Sequence, residues 1–293
     1  MPSGEQKAFE YQRLPPQQLS LRWRDTASVL VPPGPIDTRS YEISPIPDDT
    51  TARQFIERHH YSGEYVPARF RFGLYHRSGE LHGVAVFSVP MNYHSFDRFQ
   101  LRDRNEGAEL ARLVLLDQTG GNAESLFVAQ CFRYLRRDGI RAIVAFSDPV
   151  PRTTIDGRQT LIGHIGVVYQ ACSAVYTGRS KSDTLRLLPD GKCYHRRAMQ
   201  KIRAQETGWK AEVEKLQSYG AGPLDRAPRA WVDFWLPKIT RPLHHPGNHR
   251  YAWALDRWAR RALGEPNPGN YPVPAGGRVA PKYGRRVRSR ESS

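Results

Sequence analysis

The chain has 293 residues, enough for one good core with room for tails or a small appendage, and 44 Lys and Arg against 29 Asp and Glu give a formal charge of +15. An excess of this size points to a polyanionic partner, nucleic acid first among them, unless the source proteome is basic throughout. No apolar run approaches the ~20 residues that cross a bilayer. The start, MPSGEQKAFEYQ, has no signal-peptide core, and the scattered Cys131, Cys172 and Cys193 are too few for a disulfide framework or a cysteine zinc site. The expected setting is cytoplasmic and reducing.

Residues 1–45 are polar and broken by Pro15, Pro16, Pro32, Pro33, Pro35 and Pro45. They read as an irregular arm with short strands near 28–31 and 41–43. A helix is expected from Asp48, capped by Asp49 or Thr50, with Phe55, Ile56 and His59 at core spacing, ending at His60-Tyr61-Ser62-Gly63. Residues 70–75 and 81–89 read as a hairpin turning through Gly79.

The centre of the chain is the stretch from Glu109 to Pro149. ELARLVLL reads as a buried strand, and the loop DQTGGNAE carries Gly120 and Gly121, followed by Asn122 and Ser125 as candidate helix caps. A helix follows with Leu126, Phe127, Cys131, Tyr134 and Leu135 on its apolar face; it stops at Gly139, and a second buried strand, 142–146, runs into Ser147-Asp148-Pro149. Strand, loop, helix, strand is a βαβ crossover, which places the loop and Asp148 beyond strand ends where chemistry gathers in open α/β sheets.

Residues 149–163 read as an inserted loop, 163–174 as a short helix, and 175–177 and 184–188 as strands. Residues 195–219 carry helical periodicity, Trp231, Phe234 and Trp235 form an aromatic cluster under a loop, 249–253 is a last strand and 256–263 a closing helix. Beyond Gly264 the composition is that of a disordered basic tail with Arg285, Arg286, Arg288 and Arg290 as phosphate-seeking residues. The last fifty residues, from His244, hold ten Lys/Arg against three Asp/Glu. The order of elements makes a mixed α/β sheet of the GNAT acyltransferase type, flanked by helices. The boundaries are an arm over 1–45, a catalytic domain over 46–263 with its core at 50–190, and the tail over 264–293.

The loop Gln118, Gly120, Gly121 and Asn122 offers backbone amides at a helix N-terminus, a natural anion site. Its spacing differs from the usual acetyl-CoA loop of GNAT enzymes, so a coenzyme A-type donor is one candidate and the donor is otherwise unassigned. Asp148 reads as a general base, a metal ligand or a turn-capping carboxylate. Arg112 reads as an anion clamp or as an ion-pair partner of Glu109 or Asp148. Tyr169 reads as a general acid toward a leaving group or a core aromatic.

HHYSGEYV, GVAVFS, ELARLVLLD, IVAFSDP and GHIGVVYQACSAVYTG, in that order, together resemble the Mom family of bacteriophage DNA-modification proteins, over roughly residues 50–190 with a weaker echo at PGNHRY. The resemblance implies a GNAT-like fold that carbamoylmethylates the exocyclic amine of adenine in DNA, shielding phage DNA from host restriction in the host cytoplasm. It further implies catalytic roles for Arg112, Asp148 and Tyr169, and an iron site made by His60, Tyr61, Asp148 and Tyr169. The span from Asp148 to Tyr169 is longer than the family pattern, which is harmless if the excess is a surface loop. Two other readings stay open: an N-acetyltransferase using acetyl-CoA on a small amine or protein, and a basic DNA-binding protein with a vestigial pocket.

Overall fold

The computed structural model describes residues 35–90, 92–161 and 163–273. Its main sheet has seven strands. In chain order these are β1 (Tyr41–Pro45), β2 (Phe70–His76), β3 (Leu81–Ser88), β4 (Gly107–Leu115), β5 (Ala142–Ser147), β8 (Val175–Arg179) and β12 (His249–Ala254), and their spatial order is β1-β2-β3-β4-β5-β12-β8. Every neighbouring pair is antiparallel except β4 and β5. Those two pair only over Gly107–Ala142, Ala108–Ile143 and Glu109–Val144, and then diverge. The sheet therefore splits beyond Glu109. This is the expected GNAT-like architecture, with the crossover supplied by α2 (Ala123–Arg137).

The two faces of the sheet bury different sets of residues. On one face α2 sets Phe127, Cys131 and Leu135 against Ala85, Phe87, Ile143, Ala145 and Trp253, and the short α3 (Val167–Ala171) adds Tyr169 to the same core. On the other, α1 (Asp49–His59) sets Ala52, Phe55 and Ile56 on Val84, Val86 and Val114. Beside it, Phe96 and Phe99 of the 3-10 segment Tyr93–Phe99 and Ala259 of α7 (Arg257–Leu263) cover Ala142, Val144 and Ala252. Each fully buried Leu, Ile, Val or Phe contributes roughly 1.5–3 kcal/mol. Helix α1 starts at Asp49, with its cap one residue earlier than expected. Asp48 is its cap, accepting from the Thr51 amide at 2.9 Å, while Asp49 is drawn to Arg71 at 2.7 Å.

Asn122 occupies the N-cap position of α2, but with φ 64° and no side-chain cap bond; nor does Ser125, inside the helix, cap it. The cause is the arm: the Ile36 amide donates to the Gly121 carbonyl at 2.8 Å, and the Pro35–Ile36 backbone lies where a Cβ on Gly120 would sit, 2.7 Å away. The arm's end is thus part of the sheet layer, with β1 as its edge strand, so the boundary drawn after residue 45 falls just past a strand. The expected strand near 28–31 and the arginines of the far tail lie outside the described residues.

Between β8 and β12 the chain builds a second core. The strands β9 (Asp183–Leu187), β10 (Cys193–Tyr194) and β11 (Arg241–His245) form a small antiparallel sheet in the order β10-β9-β11. Against it pack α4 (Arg196–Ala204), α5 (Trp209–Ser218) and α6 (Pro228–Ile239), burying Tyr194, Ile202, Leu216 and Trp231. The aromatic cluster expected under a loop is therefore a face of α6: Trp231 is fully buried, but Phe234 is 39% exposed. Pro228 does not bar this helix, because the first turn needs no amide there.

The residues after α7 depart from the expected disorder as far as 273. Tyr271 packs on Tyr176 and Tyr251, its hydroxyl donates to the Ala174 carbonyl, and Gln170 reaches the Pro272 carbonyl at 3.2 Å.

Candidate active site

The split between β4 and β5 opens a cavity of about 230 Å³ lined by His60, Tyr61, Glu109, Ala111, Arg112, Asp148, His164, Tyr169 and Asn248, with Phe146, Val168 and two leucines of β4. That is below the roughly 300–1,000 Å³ of drug-sized ligand sites. Its floor owes its chemistry to a bulge. Val86 pairs with Arg112 but Phe87 with Leu110, so Ala111 is an extra residue in β4. Ala108 and Leu110 point into the α2 core, while Val114 points toward α1. By strand alternation Glu109 and Arg112, three apart, consequently share the α1 face, where an unbroken strand would oppose them.

Glu109 makes no hydrogen bond or ion pair among the described residues. Burial raises its carboxyl to about 7, with Arg112 opposing the shift. Arg112 itself has no ion-pair partner among the described residues: it donates from Nε to the Glu64 carbonyl at 2.9 Å and from Nη1 to the Ala111 carbonyl at 2.7 Å. Its charge is left facing the cavity.

Asp148, at the end of β5, is heavily engaged. Oδ1 accepts from His245 Nε2 at 2.9 Å and from the Val150 amide at 2.9 Å, and Oδ2 is ion-paired with Arg152. The Gly247 amide donates to His245 Nδ1 at 3.1 Å, which leaves the ring proton on Nε2, facing Asp148.

The inserted segment after Asp148 is a two-stranded ribbon, β6 (Arg152–Thr153) and β7 (Gln159–Leu161), whose base closes on itself. The His164 amide donates to the Asp148 carbonyl at 2.7 Å, and Gly163, at φ 71°, passes so close that a Cβ would meet the Pro149 carbonyl at 2.7 Å. The extra length between Asp148 and Tyr169 is absorbed outside the site, and both residues line the same cavity.

Aromatic and imidazole rings form the rest of the wall. His60 and Tyr61 have centroids 4.2 Å apart, Tyr61 Oη lies 3.1 Å from His164 Nε2, and Tyr169 sits 6.4 Å from His164 and 5.4 Å from Tyr251. Burial holds His60 well below the usual histidine value, helped by Arg112 and His164, and lowers His164 to about 4. Burial likewise raises the Tyr61 and Tyr169 phenols, so the two histidines are neutral and the two tyrosines protonated near neutral pH. His164 Nδ1 and Asn248 Oδ1 are buried without a hydrogen-bond partner among the described residues. Two orphaned polar atoms on one cavity wall invite a ligand that supplies their partners.

All five residues implied by the family resemblance (His60, Tyr61, Arg112, Asp148 and Tyr169) thus line one cavity. Gln118, Gly120, Gly121 and Asn122 do not line it; they follow the far end of β4, under the arm. As an iron site the set fits poorly. Asp148 is held by Arg152, His245 and an amide, and the Ser62 amide donates to His60 Nδ1 at 3.2 Å, which keeps the proton on Nε2. Among the described residues no group of three or more His, Cys, Asp and Glu is placed to hold a metal ion. The sequence reading missed His164, Asn248 and the base-like environment of Glu109. All three fall within the motif blocks quoted above, Glu109 as the first residue of ELARLVLLD, but nothing local marked Glu109 as more than a charge on a buried strand.

The GNAT-like sheet thus splits over a carboxyl, a cation and protonated phenols. The family model of the Mom protein family matches residues 40–225, and the chain belongs to that family. No curated protein matches. Among solved structures, the chain is similar to spermidine N-acetyltransferase from Vibrio cholerae, with 11% identity, 76% of this chain and 99% of that one covered, and a TM-score of 0.35. It is also similar to an N-acetyltransferase from Staphylococcus aureus Mu50, with 10% identity, 74% and 99% covered, and a TM-score of 0.33. A third is N-acetylglutamate synthase from Neisseria gonorrhoeae complexed with coenzyme A and N-acetyl-glutamate, with 12% identity, 74% and 35% covered, and a TM-score of 0.33. No helix among the described residues is long and apolar enough to cross a membrane.

Proposed function

We propose that this protein transfers a carbamoylmethyl-type group to the exocyclic amine of adenine in phage DNA, protecting that DNA from host restriction, with Glu109 as the base. The observation that carries the reading is the meeting of the five family-implied residues with one unpaired carboxyl in a single cavity at the sheet split.

The amine lone pair of adenine is spread into the ring, so attack on an electrophilic carbon needs the N–H proton to be taken as the bond forms. Glu109, raised to about 7, is ionised in a useful fraction at neutral pH and basic enough to accept that proton. The new C–N bond forms as the bond from that carbon to its leaving group breaks. Tyr169, held protonated by burial, returns a proton to the leaving group. Arg112 offsets negative charge on the donor, which is of coenzyme A type or another anionic carrier admitted through the split. A base has to leave the duplex stack to enter a cavity of this size. Asn248 and His164 are the groups whose unpaired atoms face its edge, and an Asn amide suits the paired donor and acceptor of adenine. Asp148 acts as a positioning residue, tying Arg152 and His245 to the site.

Mass spectrometry of nucleosides from plasmid DNA of expressing cells tests the reading. The expected product is an adenosine heavier by a carbamoylmethyl group. Unmodified DNA from well-expressed protein, together with acetylation of a small amine from acetyl-CoA, would replace the reading with an ordinary N-acetyltransferase.

A further inference from the structure

The basic surface is not uniform. On α4 the cations are neutralised: Arg196 pairs with Asp183, Arg197 with Glu206 and Arg203 with Asp233. By contrast, α7 presents Arg257, Arg260 and Arg261 at one-turn spacing, exposed and with no carboxylate partner among the described residues. Asp256, just before them, caps the helix and is held by Arg141 at 2.5 Å.

Trp258, 52% exposed, lies between these cations, with the Arg257 guanidinium 4.7 Å and that of Arg261 5.4 Å from its ring centroid. A large exposed indole that braces two guanidiniums reduces the entropy lost when they bind an anion. The patch runs toward the cavity. Helix α7 and the 3-10 segment bearing Arg98 share one core over β12. Burial, and after it the Arg98 charge, disfavours the charge of Arg250, whose guanidinium donates to the Thr177 hydroxyl and carbonyl. Arg250 pairs across the sheet with Phe146, which lines the cavity.

We infer that this face, Arg257, Trp258, Arg260 and Arg261 with Arg98 and Arg250, is where duplex DNA docks through its phosphates, delivering the target base to the gap between β4 and β5. The inference rests on the DNA-modifying reading and adds the place where the duplex sits. Unneutralised arginines in a row match a phosphate backbone, and each phosphate they neutralise releases condensed counterions.

The test is fluorescence anisotropy with a labelled duplex, with affinity followed across a range of salt. The Arg257→Ala/Arg260→Ala/Arg261→Ala variant is expected to lower the slope of log affinity against log salt by about 0.9 for each phosphate that is no longer neutralised. Trp258→Leu keeps the charges, so the slope should hold while affinity falls roughly two- to fivefold. Arg136→Ala/Arg137→Ala, on α2 across the sheet, should change neither, and melting curves check that each variant is folded. A wild-type slope in the folded triple variant, or an equal weakening in the α2 variant, overturns the docking site. If wild-type protein modifies adenine and the slope is unmoved, only this inference fails. If the slope falls but no modified nucleoside ever forms, only the functional reading fails.

Discussion

His245 donates from Nε2 to Asp148 Oδ1 at 2.9 Å, across 97 positions of sequence, and joins the second core to the end of β5 at the cavity wall. The bond makes Asp148 a hub between Arg152, His245 and the backbone. Asp148→Asn leaves a largely buried guanidinium without its counter-charge, which costs about 3–5 kcal/mol when one partner of such a pair is removed. Urea unfolding of this variant should show that loss. An active-site base acting alone would instead leave stability untouched or improved.

Glu109→Gln should have the opposite signature. The folded carboxyl sits near 7 against an ordinary value of 4.5, so its contribution to stability is full below pH 4.5 and is lost as pH rises through 7. Removing the charge should raise the melting temperature at pH 8 while turnover falls. In the wild type, turnover should rise with pH through about 7 and then level off.

The buried histidines set the acid side. His164 and His249 are both lowered to about 4 by burial, so the unfolded chain takes up protons that the folded chain refuses between about 6.5 and 4. Their contribution to stability is full above 6.5 and disappears as pH falls through 4. Thermal melts across that window should drop steadily toward acid, and His249→Gln should flatten the descent.

Much of this was legible in the sequence for physical reasons. The hairpin turning at Gly79, the βαβ unit from β4 to β5 and the closing strand β12 each carry their own periodicity and stop signals. Arg112, Asp148 and Tyr169 each kept several possible roles as single residues, and only the motif blocks drew them together with His60 and Tyr61, because these residues meet from four elements. Three features had no local signature. The bulge at Ala111 turns Glu109 and Arg112 to one face, yet depends on the register of β3. The cover over Gly120 comes from Pro35 and Ile36, some 85 residues away. The α6 helix was hidden by Pro228, which the first turn tolerates, and by Pro237, which stands inside the helix near its end.

The second core bears on the site through β11. Trp231 is fully buried among Tyr194, Ile202 and Leu216, and its Nε1 donates to the Pro223 carbonyl at 2.9 Å. Trp231→Ala should cost about 3–5 kcal/mol. Hydrogen exchange should show the loss confined to residues 183–245, and activity should fall with it, because His245 ends that segment.

The most direct measurement is the yield of modified adenosine, by nucleoside mass spectrometry, from cells expressing equal amounts of folded wild type, Glu109→Gln and Glu109→Asp. The account expects a carbamoylmethyl-type product from wild type, none from Glu109→Gln and a reduced yield from the shorter carboxylate. Wild-type yield from folded Glu109→Gln would contradict it.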